Sequence, residues 1–350
     1  MVISHTPTWP SSPTSSRTRS PNIGRAGKER ETRLRELAMR KDDQCRINKG
    51  EGGVTLDAMR LRPTASAVRM REIATGDFAA IAELLASGFT RSTPQDWMDI
   101  FDKLSRHPTP VTLPKYGYLI VSDDAVVGVI LVISSVAKTD GAMSLRSNLS
   151  SWYVLPPFRG YAPLLLSRLL KNPEVTYVNV SPAPHTLPIL AAQGFVPLSS
   201  GQFLVPINPF ARSGNATINQ IRPDDDEIAG LDPFERDLLL AHARYGCISL
   251  SCQTPDGAHP FVFRPRLIKR RIPSAQLIYC RHVSDLARLF GPVSRSLGRG
   301  GRLIVWIDSD RPVEGLRGFH VTGVNPKYYR GPARPRLGDL AYTEAAMFGI

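Results

Sequence analysis

The residues best placed for chemistry lie in a short basic turn between a strand and a helix. Arg159-Gly160 forms this turn, and the stretch before it, Leu149–Leu155, is rich in aromatic and apolar residues that favour a strand. Pro156-Pro157 ends the strand, because proline cannot continue a hydrogen-bonded ladder. Ala162–Lys171 has the bulk and periodicity of a helix with one buried face. Free N–H groups at a helix start, with an arginine beside them, suit a pyrophosphate group.

A second strand and a short helix complete this unit. Val175–Val180 follows the helix as an apolar strand, and Thr186–Gln193 predicts a short helix that Gly194 closes. The unit therefore reads strand, basic turn, helix, strand and helix.

Two motifs in this unit resemble those of the GNAT N-acetyltransferase superfamily. Val154-x-Pro156-x-Phe158-Arg159-Gly160 resembles the family's signature turn, and Ala191-x-x-Gly194-Phe195 is similar to its downstream ending. The resemblance covers Val68 to about Ile207. It implies that the turn cradles the pyrophosphate of CoA, and that the preceding strand, splayed from the next, pairs with the pantetheine arm. Acetyl-CoA or another acyl-CoA is then the co-substrate.

By this resemblance, the acyl-CoA-binding residues are Tyr153, Val154, Leu155, Arg159, Gly160, Tyr161, Ala162 and Leu164. The loop also departs from the family pattern. Ala162 and Leu164 replace small residues, and Pro163 removes a donor N–H between them. Leu190 stands where a tyrosine often protonates the leaving thiolate.

The strand before the turn offers no acidic general base, since Leu149–Val154 contains neither Glu nor Asp. Alternation places Ser151 and Tyr153 on one side of this strand and Trp152 on the other, so Ser151 and Tyr153 are candidate catalytic residues. His185 is a third candidate, as a general base. The alternatives are that Tyr153 is structural and that His185 caps or packs at the next helix.

The chain before this unit supplies the remaining elements of a GNAT-like order. Val68–Ile73 alternates as a strand, and Asp77 is a candidate N-cap for a helix over Phe78–Ser87. After a second helix, Tyr118–Ser122 and Val126–Ser135 predict an antiparallel hairpin. The predicted fold class is α/β with a mixed sheet.

The remaining sequence predicts a second lobe of the same plan. We expect a first lobe at 67–207, a linker at 208–219 and a degenerate GNAT-like lobe at 220–350, with linker-like composition from about Gly201. Ala275–Cys280, a helix and Arg302–Ile307 repeat the strand, helix and strand of the first lobe. Arg281-His282-Val283 contains no glycine, so this copy has lost its phosphate turn. An unrelated α/β domain is the alternative.

Three further features of the second lobe are predicted from local pattern. Ser284–Ser296 is expected to be one helix and Tyr342–Phe348 a closing strand. The basic run Arg264–Arg271 is expected at an exposed hairpin end, with contact to an acidic polymer or to the 3′-phosphate of CoA as alternatives. Nucleic-acid binding is the least favoured interpretation, because only Phe261 and Phe263 lie near this run.

Residues 1–66 predict a disordered basic tail. Residues 1–69 hold 14 Lys and Arg against 7 Asp and Glu, so this part carries about half of the net charge of +13. A transit peptide is possible on composition, but a start near Met59 or Met70 is the favoured interpretation. The four cysteines have no zinc-finger spacing, and no apolar run is long enough to span a membrane, which favours a metal-free, cytoplasmic protein.

The sequence therefore predicts a CoA-dependent acyltransferase that moves an acyl group to an amine. The absence of the usual acid and base favours an alternative, a non-catalytic acyl-CoA-binding or scaffold protein that keeps the fold.

Overall fold

The computed structural model describes residues 68–212, 214–225 and 228–349. The predicted disordered tail lies outside the described residues. Within them, twelve strands form one mixed sheet with helices on both faces. The strands are β1 Arg69–Glu72, β2 Gly117–Ser122, β3 Ala125–Thr139, β4 Ala142–Val154, β5 Val175–Asn179, β6 Val196–Pro206, β7 Thr217–Ile221, β8 Ile248–Thr254, β9 Gly257–Ile268, β10 Ile272–Cys280, β11 Ile304–Asp308 and β12 Phe319–Arg330. The helices are α1 Phe78–Gly88, α2 Pro94–Arg106, α3 Ala162–Leu169, α4 Leu187–Ala192, α5 Pro233–Arg244, α6 Val283–Arg288, α7 Phe290–Arg299 and α8 Glu344–Met347.

The two ends of the sheet follow the same plan. From either end, five consecutive strands of one half are followed by the last strand of the other half and then by the last strand of the same half. One end runs β1-β2-β3-β4-β5-β12-β6, and the other runs β7-β8-β9-β10-β11-β6-β12. Residues 68–207 are here called the first half and residues 217–349 the second half. β6 of the first half pairs with β11 of the second half, and β12 of the second half is inserted between β5 and β6 of the first half. The two halves share one hydrogen-bonded sheet because of this exchange.

The exchange explains why the linker-like composition from about Gly201 was misleading, and the end of the predicted linker 208–219 overlaps the start of β7. β6 continues through Gly201 to Pro206, and β7 begins at Thr217. A Cβ at Gly201 would lie 2.9 Å from the carbonyl oxygen of Val321 on β12. The glycine that looked like a linker residue therefore permits the close approach of two strands.

The predicted closing strand, Tyr342–Phe348, was also wrong. Tyr342 has a φ of +54°, and the short helix α8 follows it. The last strand along the chain is β12, which lies in the middle of the sheet and whose register is irregular between Thr322 and Lys327. This irregularity hides the alternating pattern that predicts a strand.

Three local predictions are corrected by nearby contacts. Asp77 does not cap α1, because its carboxylate accepts hydrogen bonds from the Ala74 N–H and the Arg71 guanidinium. The single helix predicted at 284–296 is divided at Leu289 into α6 and α7. Within the basic run, Arg264 is buried and donates to the Ala345 carbonyl at 2.9 Å, so only the end of the run lies at the hairpin turn.

A buried histidine cluster joins the two halves. It consists of His107 at the end of α2, His242 and Tyr245 at the end of α5, and Tyr342 near the C-terminus. Each imidazole faces one backbone carbonyl, Ser134 for His107 and Leu238 for His242, both at 2.8 Å.

These contacts decide which tautomer each neutral histidine adopts. The nitrogen that faces the carbonyl must carry the proton, and the other nitrogen then accepts from the Tyr245 hydroxyl or the Tyr342 N–H. Burial lowers the pKa of His107 and of His242 to about 4. The cluster is therefore stable only while both rings stay uncharged.

This arrangement predicts a loss of stability in mild acid. The unfolded histidines take up protons near pH 6.5 and the folded ones only near pH 4. The contribution of each histidine to the free energy of unfolding is therefore fully present above pH 6.5. It decreases by about 1.4 kcal/mol per pH unit as the pH falls from there toward pH 4. Melting temperatures of the wild type and of a His107→Asn, His242→Gln double variant, recorded from pH 7.5 to pH 5, test this. The double variant should show a clearly shallower decline.

A His185→Gln variant is the control, because His185 is exposed and lies outside the cluster. An equal decline in the wild type and the double variant would contradict a role of the cluster in acid sensitivity.

Candidate active site

A cleft lies where two parallel strands separate. β4 and β5 pair only over Leu145–Asn148 and Val175–Val178. Beyond these residues the strands diverge, so the edge of β4 that faces β5 has no strand partner there. The splay that the family resemblance implied is present at the expected place.

A β-bulge interrupts β4 inside this cleft. Ser150 pairs with Leu131 and Trp152 with Ile130, which leaves Ser151 without an opposite residue. Ser151 has a φ of +27°, a conformation that costs a non-glycine residue about 1–3 kcal/mol. Such strain is characteristic of functional sites.

Ser151 and Tyr153 were predicted to share one side of the strand, and the bulge brings Ser151 beside Ser150, with 3.2 Å between their hydroxyl oxygens. The extra residue shifts the alternation, so that Tyr153 packs with Phe89, at 6.3 Å between ring centroids, on the α1–α2 side. A Cβ at Gly88 would lie 2.4 Å from the Tyr153 ring, so this glycine makes room for the tyrosine. Tyr153 is thus a packing residue in this structure, and Ser151 lines the cleft.

A cavity of about 430 Å³ occupies the cleft. Four segments form its walls: the loop after α1, part of α2, the bulged part of β4 and the chain after β5. Large apolar side chains dominate the lining, namely Phe89, Trp97, Ile100, Leu149 and Trp152. The cavity therefore suits a ligand with a substantial apolar part.

Several buried polar groups border this cleft without a partner. Neither the amide nitrogen nor the amide oxygen of Asn148 has a hydrogen-bond partner within the described residues, and the same holds for Trp152 Nε1. Asn148 is the last β4 residue that pairs with β5. Unpaired buried polar groups are costly. Trp152 lines the cavity, and Asn148 directly precedes the lining residue Leu149.

A carboxylate enters the cavity from the far end of the sequence. Glu344 on α8 is 3% exposed, and its carboxylate accepts hydrogen bonds from the Ser181 and Ser150 hydroxyls and from the Ser151 N–H. Burial raises the pKa of Glu344, and these hydrogen bonds act in the opposite direction. The cleft therefore contains the acidic group that the strand itself does not provide.

Glu344 was not among the predicted catalytic residues, because it lies near the end of the sequence and far from the strand before the turn. The available signal was one acidic residue in the mainly apolar stretch Leu340–Phe348. Tyr342–Phe348 was predicted to be a strand, and no local pattern links it to β4.

The turn after β4 is a 3₁₀ helix, Pro156–Tyr161, that runs directly into α3. The Phe158 N–H donates to the Leu155 carbonyl, and the Ala162 N–H donates to that of Arg159. Pro156, Pro157 and Pro163 have no N–H, and a 3₁₀ helix uses the N–H groups of its later residues for its own i→i+3 hydrogen bonds, so the turn presents few free donors. This is a sparser set of donors than an uninterrupted helix start presents.

The side chains of the turn are open to solvent. Arg159 is exposed and makes no side-chain hydrogen bond or ion pair within the described residues, while Tyr161 and Leu164 are 36% and 55% exposed. Val154 is buried and Leu155 packs on both faces of the sheet. The predicted acyl-CoA-binding residues therefore form two groups. Those at the end of β4 are packed against the core, and those of the turn from Arg159 onward are open to solvent.

The candidate His185 and the position of the usual tyrosine, Leu190, are both outside the cavity lining. His185 is exposed in the short 3₁₀ helix Pro184–Thr186. Leu190 is fully buried in the core, so the position of the usual tyrosine acid is occupied by a packing residue.

Within residues 68–212, 214–225 and 228–349, no group of His, Cys, Asp and Glu side chains is arranged to hold a metal ion. Cys247, Cys252 and Cys280 are buried free thiols. No helix in the same ranges is both long and apolar enough to cross a bilayer.

Comparisons with solved structures identify the fold. A GCN5-related N-acetyltransferase from Anabaena variabilis matches with a TM-score of 0.50 at 10% identity, over 75% of this chain and 72% of that one. A probable N-acyltransferase from Enterococcus faecalis matches with a TM-score of 0.50 at 12% identity, over 79% and 74%. No protein-family model matches the sequence, and no curated protein matches it significantly. The chain has the GNAT fold.

Proposed function

We propose that the protein is an acyl-CoA-dependent N-acyltransferase whose active site is the cleft between β4 and β5. The observation that carries this proposal is the buried carboxylate of Glu344, which meets the strained bulge at Ser151 where the strands diverge. The GNAT fold supports an acyltransferase in general, and the contacts within the cleft support the particular residues.

The acyl-CoA would lie along the free edge of β4. Beyond Asn148, β4 has no strand partner on the β5 side, although the Ser151 N–H already donates to Glu344, and the amides of a pantetheine arm can pair with the remaining edge as a strand would. The pyrophosphate would then reach the turn at Arg159, whose guanidinium is free to form charge-assisted hydrogen bonds. The sparse N–H donors of the turn make Arg159 especially important for this contact.

Glu344 would act as the general base. A primary amine attacks the thioester carbonyl, a C–N bond forms, and the C–S bond breaks to release the CoA thiolate. Glu344 accepts the proton that the amine loses, and the raised pKa of this carboxyl brings its basicity closer to that required near neutral pH. The thiolate takes its proton from solvent, which is consistent with a leucine at position 190.

The lining of the cavity favours an apolar or aromatic amine as acceptor. Phe89, Trp97 and Ile100 form the wall that the loop after α1 and helix α2 contribute, opposite β4. Apolar contact of this kind contributes about 25 cal/mol per Å² of buried surface. A small, strongly hydrated amine would gain little from such a wall.

A non-catalytic acyl-CoA-binding protein is the second candidate function. Ala162-Pro163-Leu164 favours it, because this sequence reduces the donors available to pyrophosphate. The two candidates differ in whether the carboxylate of Glu344 is needed for turnover.

Replacing Arg159 tests the cofactor site. Arg159→Ala should weaken acetyl-CoA binding by about 10- to 100-fold, because a charge-assisted contact to phosphate contributes roughly 1.5–3 kcal/mol. Titration calorimetry measures this, with Lys171→Ala as a matched loss of one exposed positive charge after the same helix. An unchanged dissociation constant for Arg159→Ala would exclude the turn as the pyrophosphate site.

Replacing Glu344 tests the chemistry. Glu344→Gln keeps the shape of the side chain but cannot accept a proton, so kcat should fall by about 10²- to 10⁴-fold while KM for acetyl-CoA changes little. Release of free thiol from acetyl-CoA, with a panel of apolar primary amines, measures the rate. The acidic limb of the pH–rate profile should disappear in the variant.

Glu174→Gln, at an exposed glutamate outside the cleft, is the control for this substitution. Because burial already disfavours the charged form of Glu344, the neutral glutamine should not lower the melting temperature. Full activity in folded Glu344→Gln would refute the role of Glu344 and leave the non-catalytic function.

A further inference from the structure

The second half contains a counterpart of the active-site cleft. β10 and β11 run parallel and pair only over Ser274–Gln276 and Ile304–Trp306. β10 also has a bulge, between Leu277 and Tyr279, that leaves Ile278 without an opposite residue on β9. The arrangement of separating strands and bulge is that of β4 and β5.

This second cleft is filled by the chain itself. The Cys280 N–H donates to the Gly338 carbonyl at 2.9 Å, and the Leu340 N–H donates to the Ile278 carbonyl at 2.7 Å. Between them, Asp339 forms a β-bridge with Tyr279. Gly338 has a φ of +80°, and a Cβ there would lie 2.8 Å from Cys280 Sγ, so this contact requires glycine. The edge of β10 is thus paired where the edge of β4 is open.

We propose that the second cleft is a clamp: it holds Gly338–Leu340 in the place of a pantetheine arm and thereby positions Glu344 in the first cleft. In this proposal, which rests on the proposed function, the ion pair of Arg146 with Asp339 is the latch, and both are positioning residues.

The latch connects the two clefts directly. Arg146 lies on β4, within the short segment that pairs with β5, and Asp339 lies in the segment that fills the second cleft. The two side chains are buried, with N–O distances of 3.1 Å for each arm of the guanidinium. Arg146 also donates to the Ala341 carbonyl at 2.9 Å. A movement of the filling segment would therefore be transmitted to the base of the first cleft.

Contacts on both sides of Glu344 complete the clamp. Tyr342, strained at a φ of +54°, donates its N–H to His242 Nε2 at 3.2 Å. After the glutamate, Arg264 donates to the Ala345 carbonyl at 2.9 Å, and Lys103 donates to the Met347 carbonyl at 3.3 Å. Both halves thus fix the path of the chain around Glu344, as is needed for a strained conformation to persist.

Release of the latch should change the surroundings of the carboxyl. Ser150 and Ser151 from β4 and Ser181 after β5 face Glu344, and Arg264 from β9 is the charged group that acts on it. If the segment detaches, water replaces these neighbours, and Glu344 should titrate nearer the ordinary range of a glutamate.

The experiment uses the full chain and a double variant, Arg146→Met with Asp339→Leu. Removing one partner alone would leave a buried unpaired charge, whereas apolar replacement of both is often tolerated. Three measurements are made: hydrogen exchange of residues 336–348, infrared titration of the Glu344 carboxyl identified by difference from Glu344→Gln, and thiol release from acetyl-CoA. Lys138→Met, which removes a different ion pair between the halves, is the matched control.

In the folded double variant, exchange over 336–348 should rise by at least about tenfold and the carboxyl should titrate at lower pH than in the wild type. The kcat should fall by about 10- to 100-fold with KM for acetyl-CoA nearly constant, because a displaced base affects the transition state and not cofactor binding. Lys138→Met should behave as the wild type in all three measurements.

Unchanged exchange and carboxyl titration in the folded double variant would overturn the clamp. If the double variant does not fold, hydrogen exchange in the wild type tests the proposal. Slow exchange of the Cys280 and Leu340 N–H groups supports the clamp, and exchange as fast as in exposed loops overturns it. If exchange and titration respond as expected while the wild type releases no thiol, the clamp stands and the proposed acyl transfer fails.

Discussion

The structure depends on how backbone groups are satisfied where two parallel strands separate. Each buried N–H and C=O must have a partner, and a diverging pair of strands leaves a row of them without one. This occurs twice, beyond Asn148 on β4 and beyond Gln276 on β10. At β10 the chain provides its own partner, Gly338–Leu340. At β4 no chain segment takes this place, and only the Ser151 N–H has a partner there among the contacts described, the Glu344 carboxylate; this difference distinguishes the proposed active site from its counterpart.

The same constraint explains why the two halves cannot be understood separately. β12 lies between β5 and β6, and β6 lies between β12 and β11, so each half completes the sheet of the other. The segment after β12 then crosses from the second cleft to the first and brings Glu344 to Ser151. The second half thus contributes a buried carboxylate to a cleft that the first half builds. We infer a tandem of two GNAT-like lobes in which one retained the cofactor cleft and the other became a support.

Local signals in the sequence predicted the elements around the cleft well. Proline pairs, turn glycines and apolar periodicity indicated β4, the turn at Arg159, α3 and β5, because neighbouring residues decide where such elements begin and end. The GNAT fold followed from the same residues. The bulge at Ser151 could not be predicted, since it depends on the register of β3 against β4. The strand exchange and the arrival of Glu344 depend on contacts between residues far apart in sequence, which no local pattern records.

The stoichiometry of acetyl-CoA binding tests the central claim most directly. The account holds that one cleft is open and that the other is occupied by the chain itself. Calorimetric titration of acetyl-CoA into the full chain should therefore give one bound molecule per chain. Two molecules bound per chain with similar affinity would contradict the account, because the second would have to displace Gly338–Leu340.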